Sequence, residues 1–360
     1  KSLILFLSGV RYISTIKWGM SSHSKHLGEF DLIERFFKAG ANSLRSNEDR
    51  AITLGIGDDC ALIKPEANEE IAITSDMLVE GRHFFAGADP ESLARKALAV
   101  NLSDLAAMGA KPLGFTLAIA LPAVDEAWLS AFSKGLFAIA KDYSCPLIGG
   151  DTTAGPLTLS ITAFGSVPNG KAIRRSGAKA DDDIWVSGTI GDARLALAAL
   201  RHEIKLSSED LQQVEHRMHQ PIPRVELGIQ LRYVASAALD ISDGLLGDLR
   251  HILKQSQVDA KIELNKLPKS LTLKKQDTST SNLFAACGGD DYEICFTAPA
   301  SQREKIQLIS KLLNLPLTLI GKILPKKDSQ VQVRLMDASG SELSNAEAAP
   351  FLNSFDHFAS

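Results

Sequence analysis

Glu91-Ser-Leu-Ala-Arg-Lys96-Ala-Leu-Ala-Val-Asn101-Leu-Ser-Asp104-Leu-Ala-Ala-Met108, closed by Gly109, is the stretch on which the reading of the fold turns. Alanine and leucine dominate it, both strong helix formers, and Gly109 stands where a helix C-terminus needs a left-handed residue. On one side lies the β-branched run Ile71–Thr74, on the other Phe115–Leu121, and Thr158–Val167 repeats the pattern. Such runs read as strands. Glu126–Lys141 carries a second apolar helical stripe and Asp31–Lys38 begins a short amphipathic helix. Helices interleaved with strands predict an α/β (α+β) layer architecture.

Downstream, Pro168–Lys179 is rich in Gly, Lys, Arg and Ser, the composition of a domain boundary. It divides an N-terminal domain, 28–167, from a C-terminal α/β domain, 168–360. In the latter, Ile184–Ser187 reads as a buried strand followed by the turn Gly188–Asp192 and a helix over Ala193–Leu200. Helices are expected near Ser208–Met218, Val225–Ala235 and Gly244–Leu253, with a strand at Ala238–Ile241. Pro221-Ile-Pro223-Arg224 breaks and restarts a helix. Lys274–Ser281 is polar and reads as a flexible loop, and Ile294–Phe296, Gln302–Leu313 and Leu317–Ile323 as strand, helix, strand. Residues 1–27 read as a disordered or artefactual extension: Ser2–Val10 is apolar but far short of the ~20 residues that span a bilayer, and no cleavage site follows.

The 360 residues suffice for a large core, and 45% hydrophobic with 23% charged residues is ordinary for a soluble chain. A net charge of -4 without a Lys/Arg stripe argues against nucleic acid as partner, and no membrane segment is expected. Cys60, Cys145, Cys287 and Cys295 form neither a zinc pattern nor a disulfide framework, which points to reduced thiols in the cytoplasm.

The chemistry resides in aspartates that recur with glycine: Gly57-Asp58-Asp59, Thr74-Ser75-Asp76, Gly149-Gly150-Asp151-Thr152, Asp240-Ile241-Ser242-Asp243-Gly244 and Gly288-Gly289-Asp290-Asp291. Each is expected where a strand hands over to a turn. Singly, such a pair is more often a turn or a helix cap than a ligand. Five in one chain weaken that reading. Asp104 is more telling, because Leu98, Leu102 and Leu105 leave it only a narrow polar strip. A buried carboxylate needs neutralising, and a converging set of them calls for divalent cations. Oxygen donors without a Cys/His set favour magnesium, which is commonly shared with substrate phosphates. No P-loop, dinucleotide-binding, protein-kinase, serine-hydrolase or H-E-x-x-H motif is present. His216 and His219 lack a third ligand nearby in sequence, so a solvated helix face is the expectation.

These segments, in their order and spacing, resemble the thiamine-monophosphate kinase family. The resemblance is carried by Gly28-Glu-Phe30-Asp-Leu-Ile33, Gly55-Ile-Gly-Asp-Asp-Cys-Ala-Leu62, Lys96–Gly109, Leu147–Thr153, Arg175–Lys179, Leu239–Leu245, Gly288–Glu293 and Phe355-Asp-His-Phe358. It implies the two-domain fold of the aminoimidazole ribonucleotide synthetase-like superfamily, with the N-terminal domain forming a dimeric β-barrel-like interface in a homodimer. It further implies Asp59, Thr74, Ser75, Asp76, Asp104, Asp151, Asp240 and Asp243 as magnesium ligands, with Asp151, Asp104 and Asp243 closest to the catalysis. Gly150, Asp151, Arg175 and Ser242 stand where the family contacts ATP, and His83, Asp290 and Phe355 where it contacts thiamine phosphate. The family has Glu where this chain has Asp290, a contact about one methylene shorter that keeps its charge.

The activity so implied is transfer of a phosphoryl group from ATP to thiamine monophosphate. The acceptor's second pKa of about 6 leaves its oxygen largely deprotonated near neutrality, so no general base is needed. Magnesium would screen the two anions and align in-line attack, with Arg175 on the ATP phosphates. Two alternatives stand beside it. One is a sister enzyme acting on a purine ribonucleotide or selenide, although residues 1–59 hold no cysteine of the selenide type. The other is a non-catalytic thiamine-phosphate or nucleotide binder.

Overall fold

The computed structural model describes residues 29–44 and 51–352. A helical run opens the chain: α1 (Glu29–Leu32), a π-wound segment (Ile33–Lys38) and α2 (Ala39–Leu44). Then come β1 (Ile52–Leu54), β2 (Leu62–Ile63), β3 (Glu69–Val79), α3 (Pro90–Ala107), β4 (Lys111–Leu121), α4 (Glu126–Asp142), β5 (Leu147–Ala154) and β6 (Thr158–Pro168). After a long connection follow β7 (Asp183–Ser187), α5 (Asp192–Leu200), α6 (Ser208–His219), α7 (Val225–Leu231), β8 (Ala237–Asp240), α8 (Leu245–Ser256) and β9 (Val258–Glu263). The chain continues with α9 (Thr278–Cys287), β10 (Ile294–Ala298), α10 (Arg303–Leu312), β11 (Leu317–Pro325), β12 (Val333–Met336) and α11 (Asn345–Ala348).

Two sheets organise the molecule. The first has the order β3-β6-β4-β5, antiparallel except for the parallel β4–β5 pair. The second runs β12-β9-β11-β7-β10-β8, antiparallel except for β12 beside β9. Strands β7, β8 and β10 are buried along their whole length, which is why their apolar runs do not alternate. One face of the second sheet, with Trp185 and Phe296, joins the core built on the first sheet; the other, with Ile184, Val186 and Leu239, packs under α5, α8 and α9.

Helix α3 lies between the sheets and is buried nearly all round, with Ala and Leu on every side of it and the polar Lys96, Asn101 and Ser103 buried among them. Asp89 caps it by accepting the Ser92 N–H at 2.8 Å. At the far end Gly109 takes a φ of +68° and Ala110 N–H returns to Leu105 O at 2.8 Å, the left-handed stop read from the sequence. A Cβ on Gly228 of α7 would come within 1.9 Å of Ala106 O, so α7 crosses α3 at backbone contact.

Three sequence expectations are corrected. The segment Lys274–Ser281 is ordered, with Leu273 buried beneath it. There Asp277 caps α9 by accepting the Thr280 N–H at 3.0 Å, and Lys275 pairs with Asp210 at 2.5 Å. Asp76 and Asp151 stand within β3 and β5 rather than at their ends, because both strands run on past the polar residues. Helix α7 stops at Leu231, four residues short of the expected end. The four cysteines are unpaired, with Cys145 and Cys295 buried. No helix among the described residues is long and apolar enough to cross a membrane.

Candidate active site

One cleft of about 880 Å³ is lined by β3 and the loop 81–89 after it, by α3, α5 and α6, by the end of β8 with the turn after it, and by the loop 287–292. Strand alternation turns Thr74 and Asp76 towards α3. On α3, positions 96, 100 and 104 fall one turn apart along the stripe that faces the cleft. Thr74 Oγ1 donates to Asp104 Oδ2. The Asp76 N–H donates to Asn101 Oδ1 at 3.2 Å, and Asn101 Nδ2 is spent on Ala97 O at 3.1 Å. From the second sheet, Asp240 accepts from Ser103 Oγ at 2.7 Å, a contact between residues 137 positions apart.

The carboxylates therefore meet in a poorly hydrated place. Burial, then the neighbouring Asp104, pushes Asp76 up to about 6. Burial, then Asp104, pushes Asp240 up to about 8, with Asp248 and Asp76 adding to the repulsion and Ser103 opposing it. Asp104 is raised by burial, against the hydrogen bond from Thr74 and the positive charge of Arg175. These acids repel one another and hold protons that ordinary aspartates would have lost.

Asp248, in the first turn of α8, builds the adjoining loop. Its Oδ2 accepts the N–H groups of Ser242 and Asp243, both at 3.0 Å. Ser242 O in turn accepts the Asp290 N–H at 2.8 Å, so the two site loops are laced together. Gly289 is needed there, since a Cβ would sit 2.5 Å from Ser242 O.

Among the residues expected from sequence, the cleft brings together Asp76, Asp104, Asp240, Ser242, Asp243, His83 and Asp290. Thr74 is bonded to Asp104 at its edge, and Arg175 is close enough to act on Asp104, Asp248 and His251. His83 Nδ1 accepts the Val79 N–H at 3.0 Å, which fixes its ring at the rim. The side chain of Ser75 is on the opposite face of β3, 3.0 Å from Thr162 Oγ1. Asp59 occupies an exposed turn, its N–H on Asp58 Oδ1 at 2.9 Å, and does not line the cleft. Gly150 and Asp151 lie apart from it too, exposed on the edge strand β5. Phe355 falls outside the described residues.

Sequence reasoning missed Lys96, Asp248 and Tyr292 in or beside the cleft. Beneath it, the missed Glu293 is 0% exposed. It binds Arg224 through both oxygens at 2.7 and 2.5 Å, Arg217 at 2.6 Å and Ser187 Oγ at 2.5 Å. Lys96 is, like Asp104, a charge in an apolar helix, but a lysine stem packs on apolar surface and so gives a weaker signal. His216 is exposed, as expected, whereas His219, 3.3 Å from Glu215 on α6, lines the cleft with it.

The donor set suits a hard divalent cation. It is all oxygen, and its neutralisation is incomplete. Among the described residues no three carboxylate, imidazole or thiol groups enclose an ion by themselves. Magnesium does not require that, since it is commonly held by one or two carboxylates with waters and substrate phosphates completing the shell.

The chain belongs to the AIR synthase related proteins: the family's N-terminal domain model matches residues 57–167 and its C-terminal domain model residues 179–334. Within that class, the chain belongs to the thiamine-monophosphate kinase family. It is 46% identical over 298 residues to thiamine-monophosphate kinase of Salmonella typhimurium, covering 82% of this chain and 90% of that one. The crystal structure of the Stenotrophomonas maltophilia thiamine-monophosphate kinase superposes with a TM-score of 0.77 at 46% identity, over 85% of this chain and 96% of that one. AaThiL, solved with AMPPCP and TMP, superposes with a TM-score of 0.69 at 27% identity, over 94% and 100%.

Proposed function

We propose that the protein transfers the γ-phosphoryl group of ATP to thiamine monophosphate, giving thiamine diphosphate and ADP, with Mg²⁺ as cofactor. The observation that carries this is the meeting of Asp76, Asp104 and Asp240 in one cleft, where burial and mutual repulsion create a demand for cations. The relative solved with AMPPCP, an ATP analogue, and with TMP supports the same pair of substrates here.

Asp76, Asp104, Asp240 and Asp243 would hold Mg²⁺, with Thr74 beside them on Asp104; Asp59, Ser75 and Asp151, which the family pattern also assigns as ligands, stand outside this cleft. The bound metal supplies charge neutralisation and in-line alignment of two phosphates. Arg175 and Ser242 would contact the ATP phosphates, Ser242 being held for this by Asp248; Gly150 and Asp151, assigned to ATP by the family pattern, lie outside this cleft on the edge strand β5. His83, Asp290 and Phe355 contact thiamine phosphate. None of these groups need remove a proton from the acceptor, whose phosphate is already ionised near neutrality.

The chain acts in the cytoplasm as two domains, 28–167 and 168–360, and as a homodimer. The uncovered face of the first sheet supports the dimer: Ile73 is 63% and Met77 56% exposed there, on the same face of β3 with Ser75 between them.

The test is incubation of the protein with ATP, Mg²⁺ and thiamine monophosphate, with free thiamine as control. Thiamine diphosphate and ADP should appear one for one, and absence of the diphosphate overturns the assignment. Asp151→Asn should lower kcat at least a hundredfold in a folded protein; near-normal kcat at saturating Mg²⁺ removes Asp151 from the mechanism.

A further inference from the structure

Lys96 has no task in the site as described so far. Its side chain is 6% exposed, yet its ammonium opens on the cleft and meets Asp290 Oδ2 at 3.0 Å. Asp290 is the more accessible partner at 38%. It is held firmly: the backbone takes a φ of +66°, its N–H is on Ser242 O, and Tyr292 Oη donates to Oδ1 at 3.2 Å. An ammonium has three donors, and Asp290 occupies one.

We propose that Lys96 and Asp290 form a separable ion pair that recognises the acceptor, Lys96 taking its phosphate and Asp290 its organic cation. This rests on the reading of thiamine monophosphate as substrate. Lys96 is the new element in it.

The argument is one of charge conservation in a desolvated place. Breaking a buried pair by removing one partner leaves an uncompensated charge, which is strongly unfavourable. A ligand carrying only a cation would occupy Asp290 and strand Lys96. A ligand carrying only a phosphate would do the reverse. A zwitterion with both charges on a short linker replaces the pair by two new ones and strands nothing. Thiamine monophosphate is such a zwitterion, with a thiazolium and a phosphate joined through two carbons. Free thiamine lacks the anion.

Position agrees with this. Lys96 lies on the same stripe of α3 as Asp104, so a phosphate on its ammonium lies towards the carboxylate set. Tyr292, bonded to Asp290, also feels the charges of Asp76 and Asp240, which puts the pair beside that set rather than at a remote rim.

The test compares Lys96→Met and Lys96→Arg with the native chain, at saturating Mg²⁺. Lys96→Met should raise KM for thiamine monophosphate at least tenfold while leaving KM for ATP within twofold. Calorimetric affinity for free thiamine should stay the same or tighten, because Asp290 is released. Lys96→Arg should recover most of the loss. The proposal is overturned if Lys96→Met leaves KM for thiamine monophosphate within twofold, shifts both KM values alike, or weakens free thiamine as much as the monophosphate. A purely structural bridge would give those results. If Lys96→Met does not fold, Asp290→Asn decides: free thiamine should lose more affinity than the monophosphate, and equal losses overturn the proposal. A native chain that makes no thiamine diphosphate fails the parent assignment instead, and the binding comparison still judges the ion pair.

Discussion

Asp240 ends β8 with one oxygen on Ser103 and Asp104 close by, and burial raises it from 3.8 to about 8. In the folded chain it keeps a proton at pH values where the unfolded chain has released it. Stability therefore falls as pH rises from about 4 towards 8, and Asp76, at about 6, and Asp248, at about 7, act with the same sign. Asp240→Asn removes the penalty and keeps an acceptor for Ser103. In chelator at pH 8 this variant should melt at least ~2 °C above the native chain, about the shift expected from 1 kcal/mol in a chain of this size. The gap should close towards pH 4, and Mg²⁺ should raise the native melting temperature at pH 8 but barely move the variant. Thermal melts check this, and a variant that melts lower at pH 8 refutes it. Asp104 was legible in the sequence because a carboxylate among leucines has no cheap explanation. Lys96 was not, because a lysine stem packs readily on apolar surface and its head is usually assumed to reach water.

At the scale of elements, the helices of the sequence reading are present, and their ends follow from caps visible in the chain, such as Asp89 before α3 and Gly109 after it. Strand limits were less legible. In β3 the residues Thr74, Ser75 and Asp76 look like a polar exit from a strand, yet the strand carries them on alternate faces, one facing α3 and one outward. Glu293 was beyond reach, since nothing local marks a glutamate whose partners are Arg217, Arg224 and Ser187 on three other elements. Those contacts tie α6, the start of α7 and β7 to the strand entering from the site loop. Glu293→Gln leaves two guanidinium groups facing a neutral amide, and breaking a buried pair in this way costs about 3–5 kcal/mol. Urea unfolding should show a loss of that size, and a loss under ~1 kcal/mol would make the node a surface-like contact.

Across the whole molecule, the layered α/β architecture was legible, whereas the sheet order was not. Strand β9 joins β11 and β12 across long stretches of chain, a pairing that no local pattern in the sequence marks. The outer face of β3 gives the prediction proper to this scale. Ile73→Glu with Met77→Glu places two charges on the exposed apolar pair without touching the buried face. Light scattering should find the native chain at twice the chain mass and the double variant at once, with its circular dichroism unchanged. A native chain that runs as a monomer ends the dimer proposal.

Helix α3 is wedged between two sheets and crossed at backbone contact by α7. It can neither bend nor slide cheaply. Lys96 and Asp104 are thus fixed on one rod, about 12 Å apart along its axis. If the ammonium grips the acceptor and the carboxylate end marks where the reaction occurs, the rod is a ruler. Analogues with a longer or shorter linker between ring and phosphate would be rejected by length alone, with every charge in place.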